Sequence, residues 1–178
     1  SAPTNNARRV ARSAYRDGFR YAAPPLLNRR TKGTTVAVTK IDLTQRLAGK
    51  VDRVLVDAPC SGLGTLRRNP DLKWLQSPKA VAELRVKQQA ILESAARLLR
   101  PGGRLVYATC SLLRGENEDI AEAFTAAQQS EFEFVPATQV LEAARVERGG
   151  ELVRDGFLRL WPHRHQTDGF FAAVWQRR

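Results

Sequence analysis

The sequence has no long apolar run and few cysteines. No stretch approaches the roughly 20 consecutive apolar residues that a membrane-spanning helix needs. Residues 1–30 are rich in arginine and lack the continuous apolar centre of a secretory signal peptide. Only 2 of the 178 residues are cysteines, which argues against a disulfide framework. These absences predict a cytoplasmic protein with no membrane partner.

Histidine is equally scarce, and its placement argues against a metal site. His163 and His165 are the only 2 histidines of the chain. No cysteine or cluster of carboxylates accompanies them, whereas zinc sites combine several such ligands. We therefore expect no metal ion.

What the sequence has in excess is positive charge. Its 29 lysine and arginine residues against 18 aspartate and glutamate residues give a net charge of +11. Such an excess fits a polyanionic partner such as a nucleic acid. A solvated basic surface without a partner fits the charge equally well. With 43% apolar residues, the chain is long enough for one hydrophobic core.

Two short apolar runs end in loops that contain the two cysteines. Residues 54–56 read Val-Leu-Val, which suits a buried strand of a parallel sheet, and Asp57, Pro59 and Cys60 follow at its end. Residues 104–107 form a second strand after a Pro-Gly-Gly turn, and Cys110 follows it. Because the carboxyl ends of adjacent parallel strands share one edge, we expect both cysteines at one rim.

The other predicted elements complete an α/β chain. A strand is predicted at residues 35–39 and helices at 77–99 and 116–129, the first with Ser77-Pro78 as cap and first turn. Glu116, Glu118 and Asp119 would lie in the first turn of the second helix, where the helix dipole favours acidic side chains. Three further strands, at 132–135, 156–161 and 170–175, finish the chain in an antiparallel strand pair.

The two strand-end cysteines, one after Asp-Ala-Pro and one after Thr, resemble the signature of the Sun (Fmu) family of RNA 5-methylcytosine methyltransferases. The resemblance extends over residues 51–175 and includes three further motifs, at 67–74, 116–118 and 162–171. It implies an α/β fold with a Rossmann-like sheet. It also implies an enzyme that methylates carbon 5 of cytosine in RNA, most often ribosomal RNA, with S-adenosylmethionine as cofactor.

The resemblance also implies roles for individual residues. Cys110 would add to carbon 6 of the ring, which activates carbon 5, and Cys60 would assist release of the product. Asp57 would belong to the S-adenosylmethionine site. Asp42 aligns more loosely with the family's acidic residue near the adenine, and a residue without a functional role is an equal interpretation. A lone cysteine usually serves as a small buried apolar residue, but two cysteines at matched strand ends favour a catalytic role.

Basic residues in two segments are candidates for RNA binding. Arg67, Arg68 and Lys73, with Trp74, follow Cys60 and suit phosphates and a stacked base. Surface solubility explains these charges almost as well. Residues 1–34 form a basic, poorly defined segment that precedes the catalytic domain at 35–178. Its arginines and aromatic residues suit RNA, but a disordered or loosely docked terminus is the favoured interpretation.

One family feature is not found in the sequence. The glycine-rich cofactor loop of the type Asp-x-Cys-Ala-Ala-Pro-Gly-Gly-Lys-Thr is expected before residue 35, and residues 1–34 contain no strand with such a turn. We therefore expect an N-terminally incomplete sheet, in a truncated or divergent chain, with the edge of strand 51–56 uncovered. The alternative function is a catalytically silent basic RNA-binding domain that retains the fold.

Overall fold

A single mixed sheet organises the protein. The computed structural model describes residues 26–28, 33–38 and 47–178. The strands of this part are β1 (Leu26–Asn28), β2 (Gly33–Val38), β3 (Val51–Asp57), β4 (Leu99–Thr109), β5 (Phe132–Phe134), β6 (Val153–Arg154), β7 (Phe157–Leu160) and β8 (Phe170–Arg177). The helices are α1 (Leu72–Leu75), α2 (Pro78–Ala96), α3 (Glu118–Ala127), α4 (Ala137–Ala143) and α5 (Pro162–His165).

The strand order fixes which loops share an edge. The order is β1-β2-β3-β4-β8-β7-β6, and β5 also pairs with β8. Strands β2, β3 and β4 are parallel, whereas β8 is antiparallel to both of its neighbours β4 and β7. Two reversals restore the direction, so β7 runs parallel to β4. The carboxyl ends of β3, β4 and β7 therefore lie at one edge of the sheet, which we call the carboxyl edge.

Most predicted strands are confirmed, including the antiparallel pair at the end of the chain. The prediction of an uncovered edge on strand 51–56 is wrong. In the structure β2 pairs with β3 in parallel register, with Val36 opposite Val54. An unpaired strand edge leaves backbone donors and acceptors unsatisfied, and β2 satisfies them. The Pro-Gly-Gly turn also differs from its prediction, because it lies within β4, with Gly102 at φ 76°.

The core lies between the sheet and the two long helices. Ser77 caps α2 by accepting a hydrogen bond from Ala80 N at 3.1 Å, as the sequence predicts. The buried side chains Ile91 and Leu92 of α2 belong to the core cluster, together with Phe124 of α3. None of the helices in the described ranges combines the length and apolarity that crossing a membrane requires.

Candidate active site

The loops after β3 and β4 bring the two cysteines together. Asp57, the last residue of β3, is in register with Ala108, and Ala58 N donates to Ala108 O at 2.9 Å. The two loops therefore leave the sheet side by side. The Sγ atoms of Cys60 and Cys110 are 3.5 Å apart, within hydrogen-bonding distance for sulfur. Their predicted proximity is confirmed, while their separate roles stay predictions.

A buried carboxylate joins the two cysteine loops. Glu116 is fully buried, and its Oε1 accepts from Ser61 N at 2.9 Å and from Gln88 Nε2 at 3.0 Å. Its Oε2 accepts from the hydroxyls of Ser61 and Ser111, each at 2.5 Å. Ser61 follows Cys60 and Ser111 follows Cys110, so one carboxylate positions both loops.

Further polar groups close this network. Gln88 Nε2 also donates to Pro59 O at 2.9 Å, which fixes the residue before Cys60. Asn117 Nδ2 donates to Ser111 O at 3.0 Å, and Thr109 Oγ1 donates to Asn117 Oδ1. Hydrogen bonds of this kind offset the cost of burying polar groups. The network therefore gives the two loops a defined geometry.

Two glycines let a third loop approach Cys110. Gly64 N donates to Cys110 O at 2.8 Å, and Gly169 N donates to Gly64 O at 2.8 Å. A Cβ atom on Gly64 would lie 2.4 Å from Gly169 O and 2.5 Å from Cys110 O. Only glycine fits such a backbone contact. The segment at Asp168 and Gly169 thus forms part of the wall of the site.

The hydrogen bond between the two thiols shifts their pKa values in opposite directions. Donation to Cys110 raises the pKa of the Cys60 thiol, and burial raises it further. The same hydrogen bond from Cys60 lowers the pKa of Cys110 below its ordinary value, although burial opposes this change. Cys110 is therefore the more acidic thiol of the pair. Burial also raises the pKa of Asp57, which is partly buried at the end of β3.

The predicted RNA-binding residues lie on the loop and short helix after Cys60. Arg67 and Lys73 are exposed, and Trp74 is 78% exposed with Lys73 Nζ 4.7 Å from the centroid of its ring. Arg68 is exposed too, but its guanidinium forms an ion pair with the carboxylate of Asp168. That contact links this loop to the segment before β8, a role that the sequence does not indicate.

Two other sequence predictions have different outcomes. Asp42 lies outside the described residues. Glu116 is not in the first turn of a helix: α3 begins at Glu118, and Glu116 ends a short 3₁₀ turn, Arg114–Glu116. Its burial among four donors replaces the predicted interaction with a helix dipole. Within the described ranges, no group of three or more histidine, cysteine, aspartate or glutamate side chains is arranged to hold a metal ion.

Comparison with known proteins identifies the family. The family model described as 16S rRNA methyltransferase RsmB/F matches residues 27–176. The chain belongs to this family. The match includes both cysteine loops, Asp57 and Glu116, and it confirms the resemblance to Sun (Fmu) proteins. The RsmB/F family consists of methyltransferases that depend on S-adenosylmethionine.

Named relatives agree with the family model. The chain is 40% identical over 162 residues to a probable ribosomal RNA small subunit methyltransferase B of Synechocystis, covering 89% of this chain and 35% of the relative. It is 38% identical over 122 residues to ribosomal RNA small subunit methyltransferase F of Shigella flexneri, covering 68% and 25%. The chain therefore spans 25% to 35% of the length of these relatives.

Solved structures share the fold. A methyltransferase homologue from Pyrococcus horikoshii is 27% identical with a TM-score of 0.53, covering 72% of this chain and 39% of the other. NSun6 from the same organism, solved with SFG, is 28% identical with a TM-score of 0.52, covering 72% and 30%. SFG is an analogue of S-adenosylmethionine. These similarities confirm the Rossmann-like methyltransferase sheet.

The thiol pair predicts a pH dependence. Alkylation with iodoacetamide needs a thiolate, so Cys110 should react at pH values below the ordinary thiol pKa of about 8.5, whereas Cys60 should react only well above it. Cys60→Ala removes the donor and should shift the reactivity of Cys110 to higher pH. Mass spectrometry of the two peptides measures both profiles. Faster alkylation of Cys60 than of Cys110 at neutral pH would contradict this assignment.

The Glu116 network predicts a large effect on stability. Glu116→Ala leaves a backbone N–H, two hydroxyls and an amide without their acceptor, and it should lower the free energy of unfolding by at least about 3 kcal/mol. Glu116→Gln keeps one acceptor oxygen and should cost less. Urea denaturation measures both, with the exposed Glu147→Ala as a control that should stay within about 0.5 kcal/mol of the unaltered chain. Equal stability of Glu116→Ala and Glu147→Ala would refute the network.

Proposed function

We propose that this chain is the catalytic half of an S-adenosylmethionine-dependent methyltransferase that modifies carbon 5 of cytosine in RNA, most commonly ribosomal RNA. The observation that carries the proposal is the Cys60–Cys110 pair, with Sγ atoms 3.5 Å apart at the ends of two adjacent parallel strands. In this proposal residues 35–178 form the catalytic domain, residues 1–34 a basic segment, and the protein acts in the cytoplasm.

The first step uses the thiolate of Cys110. Cys110 Sγ forms a bond to carbon 6 of cytosine, and the electron pair of the 5,6 double bond moves so that carbon 5 becomes nucleophilic. When bound, S-adenosylmethionine supplies an electrophilic methyl group on a sulfonium, and carbon 5 takes this methyl. The half-buried carboxylate of Asp57 suits the positively charged methionine part of that cofactor. Asp42 is proposed to lie near its adenine.

The second step uses Cys60. Once Cys110 Sγ is bonded to carbon 6, it no longer acts as a thiolate acceptor, so the largest cause that raises the pKa of Cys60 is removed. With that cause removed, Cys60 can release its own proton to solvent and, as a thiolate, accept the proton that must leave carbon 5. Loss of that proton restores the 5,6 double bond and expels Cys110 as thiolate. The 3.5 Å separation of the sulfurs supports this role, because it keeps Cys60 close to the thiol that is expelled.

Basic and aromatic side chains beside the thiols support an RNA substrate. Arg67 and Lys73 are exposed on the loop and short helix after Cys60. Arg68, on the same loop, forms an ion pair with Asp168. The exposed ring of Trp74 suits stacking on an unpaired base. A cytosine must leave its stack to reach Cys110, and these groups would hold the strand while it does so.

A trapping experiment on a complete family member that carries both motifs distinguishes the roles of the two cysteines. Substitution of the residue equivalent to Cys110 by alanine removes the group that adds to carbon 6, so neither product nor covalent adduct should form. Substitution at the position of Cys60 leaves addition intact but slows release. It should accumulate a protein–RNA species that survives denaturing electrophoresis. Trapping by the first variant and not by the second would mean that the roles are reversed.

A catalytically silent RNA-binding domain that retains the fold is the second candidate, because a net charge of +11 suits a polyanionic partner whether or not catalysis occurs. Calorimetry on the chain separates the two. We expect S-adenosylmethionine to bind and Asp57→Ala to weaken that binding, with Glu147→Ala as an unaffected control. RNA binding without any binding of S-adenosylmethionine would favour the silent domain for this chain.

A further inference from the structure

A basic cleft lies at the carboxyl edge, on the far side of Cys110 from β3. Its volume is about 500 Å³, and the residues of interest in its lining are Arg114, Arg154, Arg159, Trp161 and Arg164. We call it the arginine cleft. An adjoining hollow of about 200 Å³ is lined by four of the same side chains, so the accessible groove extends beyond the cleft itself.

The strand register places the arginine cleft beside the reactive thiol. Arg159 of β7 and Thr109 of β4 are both in register with Phe171 of β8, one on each side. Neighbouring strands lie about 4.8 Å apart, so Arg159 and Thr109 are separated by about 10 Å. Arg159 Nη2 donates to Leu112 O at 3.2 Å, which connects the cleft to the loop that contains Cys110.

Charge in the arginine cleft is positive after its carboxylates are paired. Glu118 is 3.3 Å from Arg159, and Asp155 is 3.7 Å from Arg154. Arg164 is exposed, and no ion-pair partner for it occurs among the described residues. Its charge is therefore available to a ligand.

The floor of the arginine cleft combines a buried guanidinium with an aromatic ring. Arg159 is 6% exposed, and its guanidinium carbon lies 4.5 Å from the ring centroid of Trp161. Its Nη1 atom is buried and makes no hydrogen bond within the described part of the chain. A fixed cation against an indole ring is a combination that suits both a phosphate and a base.

We propose that the arginine cleft binds a nucleotide next to the target cytosine, with Arg164 on its phosphodiester and Trp161 on its base. The proposal rests on the proposed function, since it concerns the same RNA substrate. The volume fits one nucleotide of a single strand. The distance of about 10 Å from Thr109 fits a neighbour of the reacting base. Arginine planes and aromatic rings are the groups that proteins use for unpaired RNA.

A salt titration tests the contact to phosphate. The probe is a fluorescein-labelled single-stranded RNA of about 12 nucleotides with one cytosine, bound to the 178-residue chain and followed by anisotropy. Loss of one phosphate contact reduces the slope of log affinity against log salt by about 0.7 for a single strand. Arg164→Ala should show this reduction together with weaker binding.

The matched control is Arg97→Ala. Arg97 is exposed and lies at the end of α2, just before β4 begins, so it is at the opposite edge of the sheet. The substitution removes the same charge and should leave both affinity and slope unchanged. Circular dichroism of the two variants checks that each is folded.

An abasic probe tests the contact to base. Replacing the nucleotide next to the cytosine by an abasic residue should weaken binding by about tenfold. In Trp161→Ala the same replacement should have little further effect, because the stacking partner is already absent. Independent losses in a double cycle would overturn the assignment of Trp161 to the base.

The outcomes separate this proposal from the proposed function. If Arg164→Ala binds RNA like the unaltered chain while Arg67→Ala weakens binding, the arginine cleft is not used and this proposal alone is overturned. Competition by inorganic phosphate at the RNA concentration would show a free-phosphate site and would also overturn it. If the unaltered chain does not bind the RNA, both proposals are overturned.

Discussion

The geometry of the site depends on one buried carboxylate. Removing a carboxylate from water costs several kcal/mol unless hydrogen bonds replace its hydration. Glu116 is fully buried and receives those bonds from Ser61, Ser111 and Gln88. Two of its partners belong to loops that are 50 positions apart in the chain. The carboxylate is therefore satisfied only when both loops are in place, and correct folding of the core coincides with alignment of the two thiols.

Cys110 is held from two directions. On one side, the next residue, Ser111, is hydrogen-bonded to Glu116 and Asn117. On the other, the carbonyl of Cys110 accepts a hydrogen bond from Gly64 N at 2.8 Å. The absence of a side chain on Gly64 is what permits that second contact. In the proposed reaction the thiol of Cys110 approaches one face of a ring, and this arrangement would leave little motion to be restricted when the substrate arrives.

The sequence predicts the position of the thiols better than it predicts what supports them. Strand ends can be read from short apolar runs, and parallel strands align their carboxyl ends, so the proximity of Cys60 and Cys110 follows from local patterns. The role of Glu116 does not, because an acid just before a helix is typical of the helix dipole and nothing local reveals burial. A serine after each cysteine is the signal that a shared acceptor is needed.

Pairings between distant segments are also poorly predicted. Arg68 has the pattern of a phosphate-binding side chain, yet it pairs with Asp168, which is 100 positions away. An open edge on β3 is predicted from the sequence, but β2 pairs with it. In both cases the partner is chosen by the folded arrangement, since charge and hydrogen-bonding capacity alone fit several partners.

The direction of β8 explains why so many groups meet at one edge. If β8 were parallel to its neighbours, it would begin at the opposite edge, and the segment before it would lie away from the carboxyl edge. Because β8 is antiparallel to both neighbours, β7 ends at the carboxyl edge, and Trp161 follows it there. The turn before β8 brings Asp168 and Gly169 to the same edge, in contact with Arg68 and Gly64. In a sheet that was parallel throughout, β7 and β8 would need a long crossover between them. The antiparallel pair is instead joined by the short segment 161–169.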